Sequence, residues 1–157
     1  MNRDSPWFWA IGLVVTLGGG YWLKKIQDDK TLRLKDFRTK VDNVSAEIDD
    51  IEELAVSYFL KAGADPATQE IGLKIKSKMS RVGITVTQLH RNINVGATGH
   101  DVGLLTRHKN LRKTVTGDDF DSVARPMLQA SDSRFSEISL AAGKLKELLE
   151  STYDSLK

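Results

Sequence analysis

The sequence predicts an all-α protein in which a single N-terminal transmembrane helix precedes a cytoplasmic antiparallel bundle of three to four helices. Three observations predict it. Ser5 to Leu23 is uncharged, three later segments carry apolar residues at helical spacing, and strand-like alternation is scarce in a chain with three prolines. At 157 residues there is room for one folded domain besides the anchor. The expected division is residues 1–23, tail and membrane helix, and residues 24–157, the bundle, with a loop-rich section over 94–126.

The first element is SPWFWAIGLVVTLGGGYWL, residues 5–23, without Asp, Glu, Lys, Arg or His. As a helix it reaches roughly 28 Å, close to the roughly 30 Å of a bilayer's hydrocarbon. Trp7 and Trp9 at one end and Tyr21 and Trp22 at the other suit the headgroup level, and Lys24 and Lys25 end the stretch. A cleaved signal peptide fits less well, because Asp4 offsets Arg3 at the start and a basic run follows. Gly12, Thr16 and Gly20 recur every four residues and define a possible packing face between spans.

Residues 24–40 hold seven Lys/Arg and three Asp/Glu, and residues 41–60 hold six acidic residues and no basic one. The cations beside the span place the C-terminal part on the cytoplasmic side with the N-terminus outside. The same cations suit an anionic leaflet.

From Lys24 the chain reads as one long helix. Leu34, Phe37, Val41, Val44, Ile48, Ile51, Ala55 and Tyr58 alternate spacings of three and four, a heptad seam. The seam fits a coiled coil between chains or one helix of an internal bundle, and the amphipathic segments downstream favour the bundle. The helix is expected to end near Ala62-Gly63-Ala64, with Gly63 left-handed. Asp65 then caps a second helix that starts at Pro66, with a stripe of Ile71, Ile75, Met79, Val82, Val86, Leu89 and Ile93. Lys74, Lys76, Lys78 and Arg81 fall on its other face, and Gly83 marks a bend or a tight helix contact.

Val95–Asp101 reads as a loop, and Val102–Val115 as a short helix presenting Leu104 or Leu105, His108, Leu111 and Val115. Thr116 to Asp119 reads as a turn into a helical turn around Phe120 and Val123, stopped before Pro126. The last helix, capped by Ser131 or Ser133, carries Phe135, Ile138, Ala142, Leu145, Leu149, Thr152 and Leu156, broadened by Leu148 and Tyr153. Tyr58, Phe59, Phe120 and Phe135 are the expected core anchors.

Chemistry-bearing motifs are few. The absence of cysteine removes disulfides and thiolate sites. His90, His100 and His108 lack metal-ligand spacing, and HExxH, ExxH, G-x-S-x-G and the phosphate-loop patterns do not occur. No catalytic or metal-ligating residue and no cofactor is therefore assigned. His100 beside Asp101 is the remaining place for a base. Asp49-Asp50 and Glu52-Glu53 read as a solvated helix face, and Asp118-Asp119 as an N-cap pair.

The densest basic patch beyond the stalk is Arg107, Lys109, Arg112 and Lys113, around His108. It suits anionic lipid or a partner, or pairs with the acidic 41–53 face. Nucleic acid is disfavoured because no aromatic residue lies between Asn94 and Asp119 to stack on bases. The expected function is a membrane-anchored, non-enzymatic scaffold that binds a protein partner or itself, with an oligomerising pore-former as the alternative.

Overall fold

The computed structural model describes the backbone of residues 6–94, 103–117 and 119–157, and the side chains of 24–25, 27–93, 103–117 and 119–157. Four helices form, α1 (Pro6–Phe59), α2 (Pro66–Asn94), α3 (Leu104–Thr116) and α4 (Ser133–Ser155), with no strand among the described residues. The chain divides into two units, Met1–Asp36 and Phe37–Lys157.

In the first unit the described side chains from Lys24 to Arg33 are exposed, and Thr31 donates to the Gln27 carbonyl one turn back at 2.9 Å. No helix among the described residues is long and apolar enough to cross a membrane. The crossing expected for Ser5–Leu23 therefore has no support here. Its glycines, its proline and its rings dilute the short aliphatic run, and the side chains of that stretch lie outside the described residues.

The second unit is an up-and-down four-helix bundle, which buries four apolar faces against one another. Antiparallel pairing of α1 and α2 follows from Glu47 meeting Arg81, Asp50 meeting Lys78, and Tyr58 lying on Gly72. Around the ring, His108 of α3 meets Met79 of α2, and Arg107 of α3 shares a cleft with Lys144 of α4. Arg38 to Glu150 and Asp49 to Lys146 close α4 back onto α1. α3 is thus diagonally opposite α1.

The stripes read from the sequence are the core. Phe37, Val41, Val44, Ile48, Ile51, Ala55 and Tyr58 are buried, as are Ile75 to Ile93 of the second stripe and Ile138, Ala142, Leu145 and Leu149 of the last. Leu34 and Ile71 are half-buried at the stripe ends, and so is the expected anchor Phe135, beside fully buried Phe59 and Phe120. Leu104 faces inward and Leu105 outward, which settles that choice.

Several local expectations are corrected. α1 ends at Phe59, before the Ala62-Gly63-Ala64 turn, and the positive-φ glycine among the described residues is Gly103. Gly63 is needed for another reason, because a Cβ there would strike the Ser122 carbonyl while its N–H donates to the Arg125 carbonyl at 2.9 Å. α3 begins at Leu104, after Gly103 at φ 64°, and Val95–Asp101, the expected loop with His100 and Asp101, lies outside the described residues, as does Val102, the expected helix start. α4 is capped by Asp132, between the two candidate serines, which accepts from the Arg134 N–H at 2.9 Å. The cap at α2 is as read, with the Asp65 carboxylate accepting from the Ala67 N–H at 2.8 Å.

Between Gly117 and Asp132 the described residues form no helix. Phe120, Ser122 and Arg125 each donate a backbone N–H three residues back, giving linked turns that bury Phe120 and leave Val123 exposed. Asp119 does not act as an N-cap there. Its carboxylate accepts from Arg134 at 2.9 Å, and Asp118 lies outside the described residues.

Candidate interaction surface

The surface charges divide into a set that the fold uses and a set that it leaves over. On α1, Glu47 and Asp50 both meet the Lys78 amine, at 2.9 and 2.6 Å, and Arg81 reaches Glu47 at 3.5 Å. Hydrogen bonds from Lys78 to Asp50 and Glu47 hold the amine above its ordinary pKa. On the α4 side Asp49 pairs with Lys146, and Ser139 donates to Glu52. The acidic run is thus the solvated face expected and, at the same time, a clasp to both neighbours. Exposed pairs of this kind add little stability singly, yet opposite charges across each seam fix the register.

The basic face predicted on α2 divides in the same way. Lys78 and Arg81 turn toward α1, Lys74 pairs with Glu70 within the helix at 2.6 Å, and Lys76 meets Asp121 at 2.7 Å.

α3 has no such complement. Its thirteen residues include no Asp or Glu, and Arg107, Lys109, Arg112 and Lys113 are all exposed. None makes an ion pair with a described residue. The acidic 41–53 face, expected as their partner, is occupied by α2 and α4 and lies across the bundle.

Two open clefts run along the α3–α4 seam. One, of about 610 Å³, is lined by Gly103, Thr106, Arg107, Lys144, Glu147 and Leu148 among others. The other, of about 240 Å³, is lined by Asn110, Thr114, Glu137, Leu140 and, again, Arg107 and Lys144. Those two cations therefore stand where the clefts adjoin, with Leu140, 57% exposed, beside them. Lys144 escaped the sequence reading, although Glu137, Ala141, Lys144, Leu148 and Ser151 form a second line at helical spacing beside the core stripe.

Where the sequence-predicted residues lie is uneven. Lys24 and Lys25 are exposed on α1. Trp7, Trp9, Tyr21, Trp22 and the Gly12, Thr16, Gly20 face have side chains outside the described residues. Among the described residues no group of three or more His, Asp and Glu could hold a metal. No protein-family model, curated protein or solved structure matches this chain.

The fold also encloses Arg125 and, in part, His108. Arg125, 2% exposed, closes the end of α1: its guanidinium donates to the carbonyls of Tyr58 and Lys61 at 3.0 Å and lies 4.4 Å from the Tyr58 ring centre. Terminal carbonyls carry the negative end of the helix dipole, so they receive this charge well. Burial raises the Tyr58 hydroxyl pKa, and the Arg125 charge works against that rise. His108, half-buried, places Nε2 3.3 Å from the Met79 carbonyl, and burial lowers its pKa. Both groups are occupied by the packing around them.

Proposed function

We propose that this chain is a membrane-attached, non-catalytic interaction module whose helical bundle binds a protein partner, or a second copy, at the cytoplasmic face. One observation carries the interaction half: Glu47, Asp49 and Asp50 of α1 are matched by cations from α2 and α4, yet none of the four cations of α3 makes an ion pair with a described residue. Charges that a fold does not use are free to steer and orient a partner.

Attachment is supported by sequence alone. Ser5–Leu23 is uncharged with ring residues at both ends, and Lys24, Lys25, Lys30 and Arg33 follow within a few turns. The side preferred by such cations is the cytoplasmic one.

Photocrosslinking in native membranes tests both halves. A photoreactive residue at Lys109 is expected to capture a partner from the membrane fraction, while one at Leu32 captures mainly lipid or nothing. Recovery of the intact chain in the soluble fraction after lysis without detergent would remove the attachment half. Equal capture from both positions would remove the other.

A further inference from the structure

α3 and the seam it makes with α4 carry five exposed cations, Arg107, Lys109, Arg112, Lys113 and Lys144, and the exposed Leu140. We propose that this seam is a docking groove for an acidic polypeptide segment, whose carboxylates meet Arg107 and Lys144 and whose apolar residues lie against Leu140. The inference rests on the interaction-module reading and names the chemistry of its partner.

Charge is the first argument. α3 carries four cations and no acid, and Lys144 adds a fifth cation from the facing helix; none makes an ion pair with a described residue. A partner that buries against this seam without carboxylates would leave desolvated cations unmatched, which is costly.

Shape is the second argument. Arg107 and Lys144 sit where clefts of about 610 and 240 Å³ adjoin, so the cations look into a concave track and not onto a dome. A polypeptide can lay alternating side chains into such a track; a bilayer surface is flat and meets only the rim. Glu137 and Glu147 stand one in each cleft, where their carboxylates can accept a peptide's N–H groups, so an acidic segment must space its own carboxylates to meet Arg107 and Lys144. The described lining contains no aromatic residue on which bases could stack. Leu140 and half-buried Leu148 supply the apolar contact that a polypeptide can use.

The test uses the full chain in zwitterionic detergent and a labelled synthetic peptide of Glu and Leu, read by fluorescence anisotropy. The same peptide with Gln for Glu is the control. Saturable binding of the Glu peptide alone is expected, weakening as salt rises. Arg107→Gln and Lys144→Gln are each expected to weaken it about tenfold, the size of one lost charge-assisted hydrogen bond. Arg107→Lys should retain most of the affinity, and Lys24→Gln all of it.

A cysteine-free chain also permits a clean Lys109→Cys label that reports on lipid. Failure of the Glu peptide to bind overturns the groove, as do equal losses from Arg107→Gln and Lys24→Gln. A label that responds to phosphatidylglycerol in phosphatidylcholine nanodiscs, with no peptide binding, overturns it in favour of lipid. Tighter binding of a single-stranded oligonucleotide than of the peptide overturns it in favour of nucleic acid. Any of these outcomes alongside partner capture from Lys109 in membranes would leave the interaction-module reading standing, whereas equal capture from Lys109 and Leu32 would sink that reading itself.

Discussion

Gly83 of α2 lies directly beneath the His108 ring of α3, so closely that a Cβ at position 83 would come within 2.8 Å of the ring's Cε1. The contact explains a glycine in the middle of a long helix, where alanine would ordinarily be better by about 1 kcal/mol. The missing methyl lets α3 approach and seats Nε2 against the Met79 carbonyl.

Gly83→Ala is therefore expected to destabilise the protein, despite the better helix propensity of alanine. In a His108→Ala background the same change should stabilise by about 0.5–1 kcal/mol, the propensity gain without the clash. Urea unfolding of the four proteins in this cycle checks it. Additive effects would mean that the two positions do not touch.

His108 also gives stability a pH dependence. Burial is the largest cause of its lowered pKa, the Met79 carbonyl opposes it, and the Arg112 charge adds to it. Because the unfolded imidazole binds a proton more readily than the folded one, this contribution is fully present above about pH 6.5. It is lost as pH falls from there through the lowered folded value. Chemical denaturation across that window, compared with His108→Gln, should show a steeper acid loss in the parent. Parallel curves would contradict the assignment.

Arg125 is expected to be among the most costly polar positions to change. Its guanidinium satisfies carbonyls of Tyr58 and Lys61 at the buried end of α1, and the backbone of the same segment receives Gly63 and supplies Leu128. Arg125→Met should cost about 2–4 kcal/mol, because the carbonyls lose their donor in a place where water does not replace it. Arg125→Lys should recover only part, since one amine cannot span the same carbonyls as a planar fork. Stability within about 0.5 kcal/mol of the parent would show the contact to be incidental.

At the start of α4, Asp132→Ala is expected to cost about 1 kcal/mol and Ser133→Ala much less. Thermal unfolding distinguishes them, and the reverse order would restore a serine as the cap.

What the sequence disclosed and what it hid have the same physical origin. Core stripes are periodic, so Val41 to Tyr58, Ile75 to Ile93 and Ile138 to Leu149 are legible in the sequence alone. Asp65-Pro66 was legible because a cap and its helix are neighbours in the chain. Relations between distant residues leave no period. Arg125 closing α1 from 64 residues beyond Lys61 looks like an ordinary cation before a proline. Gly63 reads as a helix stop, although its role is to let Ser122 approach. The basic patch was legible as charge, but its partnership was not, because only the order of helices around the bundle places α3 opposite the acids of α1.

Central to the proposed surface is the expectation that the α3 cations, which ion-pair with no described residue, add nothing to the stability of the bundle. It is tested most directly by the thermal unfolding midpoint of the full chain carrying Arg107→Gln, Lys109→Gln, Arg112→Gln and Lys113→Gln together. Glutamine keeps helix propensity close to that of lysine and arginine, so the midpoint should stay within about 3 °C of the parent or rise as repulsion is relieved. A fall of about 10 °C or more, the scale of a lost core side chain, would show these charges to be part of the fold and would contradict the account.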